Sequence, residues 1–199
     1  MDLGAHIVGH AYLGFDRNVR LNAPDVETDM VNFELLNIPP HHPARDMWDT
    51  FYTSEEGVIL RTHTSPGQIH AMREYHPEPI RVILPGMCFR YEQVTARSEM
   101  QFTQVEGLAV GKDITFGDLK GTLSDFARRL FRADVGIRFR AAHFPFTEPS
   151  VEVFIWLEEK KDWFEMGGAG IFRPEVTAPF GIDVPVLAWG LGLYLPYRL

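Results

Sequence analysis

The chain has 199 residues, enough for a full core in one domain, and 45% of them are apolar, as in ordinary globular proteins. No apolar run reaches the ~18 residues of a membrane span, and the start carries Asp2 and two histidines without the basic stretch of a secretory leader. A net charge of −8 speaks against a broad nucleic-acid surface, and the single cysteine, Cys88, excludes an internal disulfide and fits a reducing, cytoplasmic setting.

Residues 1–23 form a short mixed segment interrupted by Gly4, Gly9 and Gly14. Residues 32–50 are rich in Asn, Pro, His and Asp and read as a helical turn followed by a surface loop. His41 and His42 lack the ligand spacing of a zinc site and read as solvated or capping residues. Trp48 is out of place in so polar a loop if its role is core packing. Gly57 to Thr62 reads as a strand. Thr64-Ser65-Pro66-Gly67-Gln68 then signals a helix start. Ser65 is the expected N-cap, Pro66 the first helical residue, and Gln68 completes the pattern. The helix should run to about Tyr75. Its N-terminus suits a carboxylate or phosphate, or is simply a well-capped helix end.

Ile80 to Glu92 and Gln101 to Val110 read as two strands of a hairpin. Alternation puts Phe102, Gln104 and Glu106 on one face, and Arg90 and Glu92 likewise together. That face is either a solvated hairpin surface or a site for a ligand with a flat base, a phosphate and an ammonium group. Cys88 reads as a buried strand residue. Thr115 caps an amphipathic helix whose apolar stripe is Phe116, Leu119, Leu123, Phe126, Ala127, Leu130 and Phe131. Arg128, Arg129 and Arg132 read as its solvated C-terminal end. Further strands are expected over Ile137 to Phe144, Val151 to Leu157, Trp163 to Met166 and Val184 to Trp189. Glu158 to Lys161 should be a turn, and Arg173-Pro174-Glu175-Val176 should begin a short helix. Phe144 and Phe146 flank a proline, which strands accept only at edges or bulges, so a bulged edge beside a pocket is expected there. Strands without βαβ alternation predict an antiparallel α+β fold in a single domain, residues 1–199.

Several words of the sequence are specific. Phe89-Arg90-Tyr91-Glu92, a loop, then Gln101-Phe102-Thr103-Gln104-Val105-Glu106-Gly107 resembles motif 2 of class II aminoacyl-tRNA synthetases, and more narrowly that of phenylalanyl-tRNA synthetase α subunits. The resemblance continues in family order through Asn32-Phe33, Asn37-Ile38-Pro39, His41 to Phe51, Arg61 to Pro66, Phe144 to Pro149, Gly167 to Gly170 and Trp189 to Gly192. It implies the class II catalytic sheet and activation of phenylalanine by ATP with Mg²⁺. By resemblance, Arg90 holds the α-phosphate and the substrate carboxylate, Glu92 meets the adenine amine and Phe102 stacks on adenine. Trp48, His63 and Ser65 contact the amino acid, and Gln104 and Glu106 accept from its ammonium. Phe144 and Phe146 pack on its ring, Ala188 and Gly190 form the floor beneath it, and Glu148 helps hold Mg²⁺. A β subunit or a second copy is the implied partner, with tRNA held weakly if at all by so acidic a piece.

Three departures stand out against the family. Pro24 matches the motif 1 proline, yet residues 1–23 replace the usual long helix. The motif 2 loop reads Thr95-Ala96-Arg97-Ser98. Motif 3 begins Gly190-Leu191-Gly192, but Leu195 stands at its arginine position and Pro196 opposes a helix. The expectation is a truncated or minimal catalytic core whose activity is weakened, or a phenylalanine- or adenylate-binding module without catalysis.

Overall fold

The computed structural model describes residues 19–20, 23–77, 79–91 and 100–192. Glu92, the loop Thr95 to Ser98, most of residues 1–23 and the altered motif 3 end lie outside the described residues. The strands are β1 (Val19–Arg20), β2 (Val26–Thr28), β3 (Val58–Leu60), β4 (Ile80–Phe89), β5 (Gln101–Val110), β6 (Ile137–Phe144), β7 (Thr147–Leu157), β8 (Asp162–Phe172) and β9 (Val186–Gly192). The α-helices are α1 (Asp29–Asn32), α2 (Pro66–Tyr75), α3 (Phe116–Leu130) and α4 (Pro174–Thr177), with 3₁₀ turns at Glu34–Leu36, Pro43–Met47 and Ala178–Phe180.

The main sheet has the order β1-β4-β5-β9-β8-β7-β6. Its six long strands are antiparallel, and only the short edge strand β1 pairs in parallel. β2 and β3 form a separate antiparallel pair. This is the expected antiparallel α+β fold. Among the described residues, no helix is long and apolar enough to cross a membrane.

Alternation builds a core on each side of the sheet. On one side Val105, Ala109, Leu187 and Leu191 pack with Leu119, Leu123, Phe126 and Ala127 of α3. Thr115 caps α3 as expected: Asp118 N–H donates to its Oγ1, and its own N–H donates to Asp118 Oδ2 at 2.8 Å. On the other side Leu84, Leu108, Val110 and Ala188 pack with Ile69, Ala71 and Met72 of α2. Gln104 and Glu106 share that second face with Leu108 and Val110. One face of β5 is therefore core at one end and polar at the other.

Four local expectations needed correction. α2 starts at Pro66, but Ser65 is itself in the right-handed helical region and its side chain caps nothing. Its hydroxyl donates to Glu106, and Gln68 donates to the Gly107 carbonyl. β8 spans Asp162–Phe172 and so continues through Gly167-Gly168-Ala169-Gly170, beyond the expected end at Met166. The glycines belong there because neighbours crowd them: a Cβ on Gly168 would lie 2.6 Å from the Phe144 ring. β7 begins at Thr147 rather than Val151, and β9 spans Val186–Gly192 rather than 184–189. His42 acts as a cap, its Nδ1 accepting from Ala44 N–H at 3.0 Å. The bulge expected near Phe144 is present between Ala142 and Phe144, on the edge strand β6.

Leu119 is fully buried under the sheet. Leu119→Ala should lower stability by about 3 kcal/mol, measured by urea unfolding.

Candidate active site

The site is set by the register of three strands. Leu84 pairs with Glu106, Gly86 with Gln104 and Cys88 with Phe102 across β4 and β5. Glu106 also lies opposite Gly190 of β9, and Leu108 opposite Ala188. A Cβ on Gly190 would sit 3.1 Å from Glu106 Cγ, so the glycine makes room for the carboxylate's stem. A cavity of about 310 Å³ opens here. Trp48, His63, Ser65, Arg90, Gln104, Glu106, Phe144, Phe146, Ala188 and Gly190, all singled out from sequence, lie on its wall. Phe102 and Glu148 do not, and Glu92 lies outside the described residues.

The polar end is built around a buried carboxylate. Glu106 is 5% exposed, and burial pushes its pKa up from the ordinary 4.5 to about 7. Donation by Ser65 Oγ to Oε1 at 2.9 Å, with Thr64 and the Arg61 charge, opposes that rise without cancelling it. His63 is also buried. Its Nε2 faces the Asn32 carbonyl at 3.1 Å, which can only accept, so Nε2 carries the proton. Burial, and then the charge of Arg90, hold the imidazole well below its usual pKa and keep it neutral. Its Nδ1 is consequently a lone-pair acceptor, buried and without a partner among the described residues. Trp48 sets its ring edge-on to His63, with centroids 4.3 Å apart.

Arg90 follows the last residue of β4 and donates through Nε to the Thr62 carbonyl at 3.0 Å. Its guanidinium lies 4.9 Å from the Phe102 ring centre and 5.5 Å from that of Trp48. Phe102 thus supports Arg90 from below. The end of β4, from which Arg90 projects, is held by Arg61, which is 2% exposed. Arg61 ties the Met87 carbonyl at 2.7 Å and the Ala23 carbonyl at 2.6 Å, and pairs with Asp25 at 2.8 Å. This draws β4 against the segment before β2.

The apolar end is an aromatic slot. Phe144 and Phe146 stack at 5.9 Å with 10° between planes, and Phe172 meets Phe146 edge-on at 6.3 Å. Asn37, in the left-handed region at φ 61°, donates to the Pro145 carbonyl at 2.7 Å and pins the corner between the two rings.

Among the wall residues that sequence reasoning missed are Gln68, Thr147, Glu165 and Trp189. Glu165 was hidden by a bulge. Val153 pairs with Gly167 and Phe154 with Glu165, so Met166 is the extra residue and the alternation flips between Glu165 and Gly168. Partial desolvation, then the charge of Glu152, raise the Glu165 pKa, and Arg140 opposes them. Thr147 follows Phe146 directly, and its position beside the slot was the available signal.

The described residues do not by themselves make a metal site. No three His, Cys, Asp or Glu converge among them, and Glu148 is 3.0 Å from Arg173, away from the cavity wall. Glu148, the residue that the resemblance gave to Mg²⁺, is held by a guanidinium instead.

The pattern of the tRNA synthetases class II core domain (F) matches residues 11–194. The phenylalanine–tRNA ligase alpha subunit of Herpetosiphon aurantiacus is 59% identical over 173 residues, covering 80% of this chain and 50% of that protein. The same-named protein of Roseiflexus sp. strain RS-1 is 54% identical, covering 85% of this chain and 54% of its own. That of Syntrophobacter fumaroxidans is 49% identical, covering 92% and 56%. The chain spans about half the length of the curated relatives it matches. With its six-stranded antiparallel sheet and the pattern matched over nearly all its length, the chain belongs to the class II tRNA synthetase core-domain family.

Proposed function

We propose that this core binds phenylalanine and ATP and joins them as phenylalanyl-adenylate, releasing pyrophosphate. The observation that carries the reading is one cavity with an aromatic slot at one end and, at the other, a buried carboxylate beside a neutral histidine and an arginine. The ring of the substrate enters between Phe144, Phe146 and Ala188. Its ammonium meets Glu106 and the unpartnered Nδ1 of His63. Its carboxylate and the α-phosphate of ATP meet Arg90, whose planar fork suits both groups. The reaction brings two anions together, so the protein's share is alignment and positive charge. The names of the relatives support a β subunit as partner, with tRNA the acceptor in that assembly, and the single cysteine fits a cytoplasmic setting. Leu195, at the arginine position of motif 3, favours a second reading, in which the cavity binds these ligands but activates slowly. Loss of one cationic contact to pyrophosphate is worth roughly a hundredfold in rate.

Calorimetric titration with phenylalanine, ATP and a non-hydrolysable phenylalanyl-adenylate, together with pyrophosphate exchange, separates the two readings. Phenylalanine should bind more tightly than tyrosine, whose hydroxyl would be driven against the slot's apolar floor. Equal or tighter tyrosine binding defeats the assignment. Arg90→Ala should cut exchange by about a hundredfold or more while moving Tm by less than about 5 °C. A mutant with normal exchange removes Arg90 from the mechanism.

The pH dependence follows from Glu106. Its folded pKa of about 7 lies above the ordinary 4.5. Between those values the native state holds the extra proton, so without ligand its contribution to stability falls as pH rises. Binding of an ammonium requires the ionised form. Phenylalanine affinity should therefore strengthen by about tenfold from pH 6 to pH 8. In Glu106→Gln both trends should vanish, with weak binding at either pH and greater stability than wild type at pH 8. A flat wild-type binding profile would separate Glu106 from the ammonium.

A further inference from the structure

The 3₁₀ turn Pro43–Met47 delivers Trp48 to the cavity wall, yet none of the turn's own residues is buried. Burial of the turn itself therefore contributes little to holding it. Arg45 ties it down instead. Its Nη1 and Nη2 donate to the two carboxylate oxygens of Asp29 in α1, at 2.7 and 2.8 Å. Nε donates to the Pro39 carbonyl at 3.0 Å, and Nη2 to that of Ile38 at 3.2 Å. A planar fork can serve two segments at once in this way, and an ammonium could not. The side chains of Arg45 and Asp29 are only 14% and 19% exposed, so the pair escapes most of the solvent screening that weakens surface ion pairs.

The same guanidinium lies 4.8 Å from the centre of the Phe33 ring. Phe33 is fully buried and meets Trp48 edge-on at 5.8 Å, and Trp48 meets His63 edge-on at 4.3 Å. The Trp48 N–H donates to the Arg45 carbonyl at 3.2 Å, so the tryptophan leaves the turn at a fixed point. A column thus runs from Arg45 through Phe33 and Trp48 to His63. It ends on the imidazole whose buried Nδ1 has no partner among the described residues. The neighbours of Trp48 in sequence give it no support, since Met47 and Asp49 are both exposed. Arg45 itself is not on the cavity wall.

We propose that Arg45 is a positioning residue for the amino-acid site: it holds the Trp48 ring against His63, and so keeps the free Nδ1 aimed at the substrate's ammonium. The identity of the ligand rests on the phenylalanine reading above. The column does not, and it can be tested without ligand.

The chain has four tryptophans, so NMR should show four indole N–H signals, and Trp48→Phe identifies the one that belongs to Trp48. Arg45→Gln should move that signal and leave the other three in place. An unmoved Trp48 signal overturns the proposal, and so does movement of all four, which would make Arg45 a support of the whole fold. The second arm is a cycle of phenylalanine affinities. Arg45→Gln should weaken binding by about tenfold when Trp48 is present and by less than about twofold in the Trp48→Ala background, because a residue that acts through Trp48 then has nothing to act on. Equal weakening in both backgrounds, or in neither, overturns the proposal. If Arg45→Gln does not fold, Asp29→Asn, which spares both carbonyl bonds, takes its place in both arms with the same expected directions. A wild-type protein that binds no phenylalanine sinks the phenylalanine reading, and the indole signal then decides the positioning role alone.

Discussion

The structure depends on placing one carboxylate, Glu106, in the middle of a sheet. A buried carboxyl without partners is expensive, and here burial, opposed by Ser65, Thr64 and the Arg61 charge, still leaves its pKa at about 7. Ser65 limits the cost by turning its hydroxyl away from capping α2 and toward Glu106. Gly190 limits it further by leaving space for the side-chain stem. What remains is a group held close to neutrality that a cation entering the cavity would ionise. Burial of Glu106 and the pull toward a positive ligand are two sides of one free energy.

Around this group the chain spends its polar residues on orientation. Asn32 secures the segment that follows β3, its Nδ2 donating to Thr62 Oγ1 at 3.0 Å and its backbone carbonyl accepting from His63. Arg61 ties β4 to the segment before β2, and the Thr62 carbonyl anchors Arg90. The apolar slot is held with equal economy: Asn37 on the Pro145 carbonyl, Gly168 beneath Phe144. None of these supporting residues needs to touch a ligand. Each fixes a neighbour that lines the cavity, and so the site is prepared before anything enters it.

Much of this was legible in advance where a period carried it. The apolar stripe of α3, its Thr115 cap and the β5 alternation Phe102, Gln104, Glu106 rest on local geometry that a strand or helix imposes on any sequence. Legibility failed where a neighbour overrode the local rule. Ser65 reads as a cap because its flanks are those of a cap, and only Glu106, forty-one residues away, changes its role. The strand expected to end at Met166 runs on through Gly170, and nothing in sequence shows Phe144, Thr147 and Gly190 pressing against those glycines. Glu165 shares a face with Gly168 only because Met166 is an extra residue, and no local pattern announces such a bulge.

The sequence by itself determined which elements form, which faces are apolar, and which chemical groups the chain can offer: a guanidinium, carboxylates, an amide, imidazole and aromatic rings. Those properties follow from residue type and short-range spacing. The tertiary structure decided what each group is when assembled. It made Glu106 titrate near neutrality, deprived His63 of its charge, placed Phe102 under Arg90, and set the Gln104 amide oxygen against the Thr64 N–H. Protonation state and amide polarity depend on burial and on partners brought from distant segments. Neither exists until β4, β5 and β9 are in register.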